Sequence, residues 1–389
     1  MNAIPFPASA VPWRMNAIPF PGQTVSQGLP ACQNKGPGHA TCPATISLLQ
    51  LLIRILDPPT SALAGLQPSM LQQMYALPAS GASNQTVAIV VAYDDPAAES
   101  DLAVYRSEFG LPACTSNNGC FSKITGNGGA ALPPVDYGWA VEASLDVDTV
   151  SAACPECKIM LVEAASDLIP DLAQAVDTAV ADGATEVSNS YGAAEAADNV
   201  TYDSYYHHPG VPITAAAGDN GFGVQFPASS QYVTAVGGSQ LVQAAGAVLS
   251  ETAWSGTGGG CSQFIPKPAW QHDAGCPNRT LNDISVIADP NQGLAVYDSI
   301  LNGPGNGGWS EIGGTSIGAP LVAAMYALSG SAQSVNDASG MYAAKSGLFD
   351  IELGANGTCT PVYLCSAGIG YDGPTGLGVP YGLAAFTGK

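Results

Sequence analysis

Basic residues are scarce in this chain of 389 residues: ten Lys and Arg stand against 31 Asp and Glu, a formal net charge of −21. That balance argues against nucleic-acid partners, whose binders neutralise phosphates with basic patches. It argues equally against anionic membrane surfaces. Charge of either sign is sparse, at 11% of residues against about 25% in an average soluble domain. A fold that relies on few ion pairs loses little when carboxylates protonate. Near pH 3 most Asp and Glu are neutral, because their reference pKa values are about 3.9 and 4.3, so the composition permits folding in acid. Long apolar runs are missing as well. Hydrophobic residues make up 46% of the chain, but the segment Ile46 to Leu56 is short and interrupted by Arg54, and no run is long enough for a bilayer. No basic region precedes Arg14, so the N-terminus reads poorly as a signal peptide. Histidine is limited to His39, His207, His208 and His272. None has an obvious catalytic setting, and no His-Gly-Thr-His-like segment supplies a histidine base.

Cysteine is present in an even count of ten, in close sequential pairs: Cys32/Cys42, Cys114/Cys120, Cys154/Cys157, Cys261/Cys276 and Cys359/Cys365. This suggests an oxidising compartment and a secreted protein. Small local loops are the simplest connectivity. No second Cys-x-x-Cys or Cys/His pair completes a zinc set around Cys154 and Cys157. That pair also follows a helix rather than opening one, so a structural disulfide is expected there rather than a redox motif. Asn-x-Ser/Thr sequons occur at Asn84, Asn199, Asn278 and Asn356, which matter where the source glycosylates.

Strands and helices alternate along most of the chain. Thr86 to Tyr93 reads as a buried strand and Ala97 to Phe109 as a helix. An acidic helix near 138–152, a strand at 158–163 and a helix from Leu168 to Ala181 follow. Strands are expected at 186–190, 211–217 and 232–236, with further strands at 281–288 and 295–297. This order means an α/β fold with a mostly parallel sheet covered by helices on both faces. No linker composition appears between 80 and 389, so that region is expected as one catalytic domain. Residues 1–65 are Pro/Gly-rich. Within them Met1 to Pro7 recurs as Met15 to Pro21, which reads as a flexible leader or a misplaced start.

The turn Gly313-Gly314-Thr315-Ser316-Ile317-Gly318-Ala319-Pro320 enters an apolar helix from Ala319 to Leu328. A serine there is exposed by the turn and faces the positive end of the helix dipole, which suits a nucleophile. The competing reading is a Ser/Thr N-cap. A nucleophile needs a base. Glu142 and Asp146 lie i and i+4 on the acidic helix, so they share a face. Like charges at that spacing disfavour double ionisation, and one shared proton leaves Glu142 oriented by Asp146. Asp148 falls on another face and reads as solvated. Asp219 follows the small-residue strand ending at Ala217, where ligands bind in open α/β sheets, although Asp-Asn-Gly is also good turn chemistry.

Glu-xxx-Asp on a helix, an Asp after a small-residue strand, and Gly-Thr-Ser-xxx-Pro occur here in that order. Together they resemble the sedolisins, serine-carboxyl peptidases with a subtilisin-like fold, over roughly Leu66 to the C-terminus. The resemblance implies Ser316 as nucleophile, Glu142 as general base, Asp146 as its partner and Asp219 as oxyanion donor. It implies an acid-acting secreted endopeptidase, monomeric, with protein or peptide substrates. The tail resembles the family's calcium site, which implies one structural Ca2+ held by Asp350, Ile351, Gly368, Gly370 and Asp372; hard oxygen ligands and glycine carbonyls agree with this. The family is made with a large N-terminal prodomain. Residues 1–65 are too few for one and are expected as a leader or prodomain remnant, with the peptidase domain at 66–389. Val91 stands where many relatives, as we align them, carry an acidic residue, and Asp94 or Asp95 is the candidate replacement. The alternative function is a catalytically impaired, acid-stable binding or surface protein derived from such a peptidase.

Overall fold

The structure, a computed structural model, describes residues 28–47, 63–244, 247–301, 303, 307–344 and 347–387. The repeat at 1–21 and most of the apolar stretch 46–56 lie outside the described residues.

The strand Thr86–Ala92 is β-branched and apolar, and it is buried from Val87 onward. Such a run cannot face water on either side, and it takes the centre of a sheet. Lys158–Ala164 and Glu186–Asn189 flank it in parallel. Outward on one side lies Phe121–Thr125. On the other lie Ile213–Ala216 and then Thr234–Ala244, also parallel. Ile284–Ile287 joins Thr234–Ala244 in parallel, and only Ala247–Ala253 runs antiparallel. Helix Tyr137–Ala153 packs on helix Gly318–Ser329 and on the central strand, while helix Ile169–Ala181 packs on the central strand and its neighbour Lys158–Ala164. The expected subtilisin-like α/β single domain is what the chain forms. The strand Phe121–Thr125 was not among the expected elements; its alternation is masked by Ser122 and Lys123.

The helix Tyr137–Ala153 starts at Asp136, whose carboxylate accepts the Gly138 and Trp139 N–H groups, a regular N-cap. It has no solvent face: every residue from Trp139 to Ala153 is buried. This corrects the reading of Asp148. The side chain is buried, and its Oδ2 accepts the Tyr297 N–H at 3.0 Å. Sequence periodicity could not reveal this, because the helix is packed all round.

All five local cysteine pairs form disulfides. Cys154 and Cys157 are buried, as a structural bridge should be. Asn199 and Asn356 are also buried and Asn278 is half-buried, which leaves Asn84 as the exposed sequon.

The boundary expected at residue 65 does not mark the edge of packed structure. Thr45–Ile46 pairs antiparallel with Gly308–Gly313, and Leu29–Pro30 pairs with Thr45–Ile46. Residues 28–47 are part of the domain because they complete a four-stranded ribbon with Leu294–Asp298 as its far edge.

Candidate active site

The strand Gly308–Gly313 runs into a tight turn at Gly314, whose φ is +110°. A residue with a Cβ would be strained there, and its Cβ would also collide with the Pro43 carbonyl oxygen and the Asp219 carboxylate. The chain then makes a short 3-10 turn, Thr315–Ile317, before helix Gly318–Ser329. Ser316 caps neither element, so the N-cap reading fails. Its hydroxyl is buried and makes no protein hydrogen bond of standard geometry.

Glu142 and Asp146 are both fully buried. Burial pushes the Glu142 carboxyl well above its ordinary range; Asp146 adds to the rise, while Ser316 and the Ala44 N–H oppose it. Burial likewise raises Asp146, with Ser190 and Glu142 opposing. Glu142 Oε1 and Asp146 Oδ2 lack standard hydrogen bonds in this geometry. The two carboxyls therefore act on each other and on Ser316 by proximity. They cannot both ionise without repulsion in a dry site.

Asp219 follows the strand Ile213–Ala216. Its Oδ1 accepts the Thr315 N–H and the Thr315 hydroxyl, both at 2.9 Å, and its Oδ2 accepts the Thr45 hydroxyl at 3.2 Å. Gly218 N–H holds Thr315 Oγ1 from the other side at 3.0 Å. Burial pushes Asp219 up to about 7, against those three hydrogen bonds. The carboxyl is thus tied to the residue preceding Ser316 and is neutral in acid.

The four residues expected to act together are therefore brought together. Sequence reading missed three supports. Ser190 Oγ donates to Asp146 Oδ1 at 2.8 Å and lies 3.2 Å from the Ser316 carbonyl. Thr315 fixes Asp219, and the Ala44 N–H donates to Glu142 Oε2 at 2.9 Å. Only the position of Ser190 at the end of an expected strand hinted at any of them. Asp94 and Asp95 do not replace an acid near Glu142. Asp94 pairs with Lys123, and the Asp95 N–H donates to Glu163 Oε1, itself 3.3 Å from Lys123. A cavity of about 820 Å³ opens beside the site, lined by Asp219, Asn220, Trp254, Asp289 and Asn356 among others.

Asp350 and Asp372 meet Gly370 and Gly368 at the C-terminal loop. Strand Leu348–Phe349 pairs with Val379–Pro380 and delivers Asp350. Asp350 Oδ2 accepts the Gly370 N–H at 2.6 Å, and Asp372 Oδ2 accepts the Gly368 N–H at 2.9 Å. Burial, with a contribution from Asp350, raises Asp372 to about 7. Two like charges thus meet on one glycine loop, a donor set that a hard dication would neutralise. Among the described residues, no cluster of three or more His, Cys, Asp or Glu could hold a metal, so backbone carbonyls would have to complete this one.

No protein-family model matches the chain. It is 31% identical over 335 residues to kumamolisin of Bacillus sp. (strain MN-32), covering 73% of the chain. It is 28% identical over 343 residues to sedolisin of Pseudomonas sp. (strain 101), covering 76% of the chain. The solved structure of Pseudomonas sedolisin, a serine-carboxyl proteinase complexed with two molecules of pseudo-iodotyrostatin, superposes with a TM-score of 0.68 at 27% identity, covering 82% of this chain and 96% of that one. The chain belongs to the sedolisin family. It spans 56% of the length of each of these two sequence relatives. Ser316, Glu142, Asp146 and Asp219 thus lie together in a sedolisin-family chain.

Proposed function

We propose that this sedolisin-family chain is an acid-acting serine-carboxyl endopeptidase. The observation that carries this reading is the shared burial of Ser316, Glu142 and Asp146, with Ser316 near enough to Glu142 to oppose the rise of its carboxyl, beside an Asp219 that burial raises to about 7. Glu142 takes the Ser316 proton as Oγ attacks a peptide carbonyl, and passes it to the leaving amine. Asp146, held by Ser190, orients Glu142 and shares its proton. Asp219 donates a hydrogen bond to the oxyanion, as a neutral carboxylic acid can. Asp219 keeps its proton on the acid side of about pH 7, and the Glu142/Asp146 pair must have lost one proton for Glu142 to accept another. The same residues disfavour the alternative of an impaired binding protein, since none of the four is lost.

Asp350 and Asp372, with the carbonyls of Ile351, Gly368 and Gly370, would hold one Ca2+, which would stabilise the C-terminal loop without entering the reaction. Substrates are proteins or peptides, and an extracellular site of action fits the five disulfides. No helix among the described residues is long and apolar enough to cross a membrane. The test is digestion of a denatured protein by the purified chain from pH 2 to 8, with Ser316→Ala as control. Cleavage confined to acid and absent in Ser316→Ala is expected. No cleavage at any pH, or equal cleavage by Ser316→Ala, overturns the reading.

A further inference from the structure

The cavity beside Asp219 carries chemistry that Ser316, Glu142, Asp146 and Asp219 do not use. Asp219 lines it and is tied to Thr315, the residue before Ser316. A peptide carbonyl held by Asp219 therefore brings a neighbouring side chain within reach of the cavity. At about 820 Å³ there is room for a side chain of any size.

The walls are fixed before any ligand arrives. Gln292 accepts the Leu241 N–H at 2.7 Å and donates to the Leu241 carbonyl at 2.8 Å. This clamps the strand Thr234–Ala244, which supplies Leu241 and Val242, to the short turn capped by Asp289. Asp289 Oδ1 accepts the Asn291 N–H at 3.0 Å and the Asn291 side-chain amide at 2.9 Å. The Trp254 ring is equally confined. A Cβ on Gly256 would lie 2.4 Å from it, and one on Gly238 2.9 Å.

The polar groups left over are acceptors. Of the side-chain amides that line the cavity, Gln240 donates to Thr252, Asn291 to Asp289 and Asn356 to the Thr257 carbonyl. Asn356 is only 6% exposed, and its Oδ1 has no partner among the described residues. Exchanging its oxygen and nitrogen would set two carbonyl oxygens against each other, so the orphan is an acceptor. The second oxygen of Asp289 likewise accepts from none of the described residues. No Lys, Arg or His among the described residues lines the cavity. An orphaned acceptor is costly to leave unmade, and a carboxylate is the strongest partner for a charged donor. Leu241, Val242 and Pro290 offer an apolar wall to an aliphatic stem, and Trp254 an aromatic edge to a cation. The net charge of −21 favours approach of a cationic peptide.

We propose that this cavity is a substrate subsite that selects a basic side chain close to the scissile bond, with Asp289 as the residue that determines the preference. The proposal rests on the peptidase reading above. The cationic head donates to Asp289 and the stem lies along the apolar wall, away from the reacting atoms. Arginine, with five donors in a planar fork, suits a cavity rich in acceptors better than lysine does.

The test uses the full chain at pH 5 and quenched fluorescent peptides that carry Arg, Leu or Glu in turn at each position flanking the cut, with the cut bond read by mass spectrometry. At one position Arg should exceed Leu in kcat/KM by about tenfold or more, mainly through KM, because the contact is made in substrate and transition state alike. Asp289→Asn keeps the acceptor for Asn291 and should bring the Arg-to-Leu ratio close to one. Asp289→Lys should turn the preference at that position towards Glu. A wild-type chain that favours Arg at no position overturns the subsite and leaves the peptidase reading standing. A ratio that neither variant changes does the same. No cleavage of any peptide overturns the peptidase reading, and this proposal with it.

Discussion

Asp219→Asn separates an oxyanion donor from a turn residue. Burial raises the Asp219 carboxyl to about 7. The protonation state that matters for the donor is the one with substrate bound, so kcat at saturating substrate is the quantity to follow. Above pH 7 the protonated fraction falls about tenfold per unit, to about one hundredth at pH 9. An ionised Asp219 would set negative charge beside developing negative charge, so wild-type kcat should fall in parallel. Asparagine keeps a neutral donor at every pH, and its carbonyl can still accept from Thr315. Its kcat should be lower in acid through altered geometry, yet lack that alkaline limb. The ratio of mutant to wild-type kcat should therefore rise about fiftyfold from pH 7, where half of Asp219 is protonated, to pH 9. Asp219→Ala should lose about 2.7–4 kcal/mol of transition-state stabilisation, the usual range for one oxyanion donor. Each protein is compared with itself across pH, so a fixed inactive fraction scales a profile without moving its limb. Circular dichroism at each pH checks the fold. Coincident alkaline limbs in folded wild type and Asp219→Asn would refute the donor role.

Three other outcomes are expected. Asp148→Ala removes the acceptor of the part-buried Tyr297 N–H and should lower unfolding free energy by about 1–3 kcal/mol, measured in urea; Asp148→Asn, which keeps an acceptor, should stay close to wild type. Burial raises Glu186 to about 8, above its unfolded value, so the stability it contributes is present in acid and is lost as pH rises through about 8. Glu186→Gln should therefore flatten the fall in Tm between pH 5 and 9 while changing little at pH 5, and an unaltered slope would contradict this. Chelator at pH 6 should lower Tm if Asp350 and Asp372 hold calcium, since binding to the native state alone adds about 2.7 kcal/mol at a hundredfold excess over Kd. An unchanged Tm, with no calcium detected before or after soaking, would remove that site.

Local pattern was enough for much of this protein. The β-branched run at 86–92, the small-residue strand before Asp219 and the glycine turn before Ser316 each announce themselves through neighbours a few residues apart. Glu142 and Asp146 share a helix face by spacing alone, and five disulfides close between adjacent cysteines because short loops close most easily. Tertiary structure decided what spacing cannot carry. Asp148 is buried because neighbours pack the acidic helix on every side, and no periodicity within a helix reports on what surrounds it. Ser190 reaches Asp146 across 44 residues, and Ala44 reaches Glu142 across 98. Such contacts depend on which strand ends the sheet brings side by side. The segment 28–47 reads as leader by composition, since few of its residues are apolar enough to mark a core element. It is ordered by backbone pairing to Gly192, Ile312 and Gly313, and backbone hydrogen bonds are available to every residue, proline lacking only the donor, so they leave no mark in the sequence.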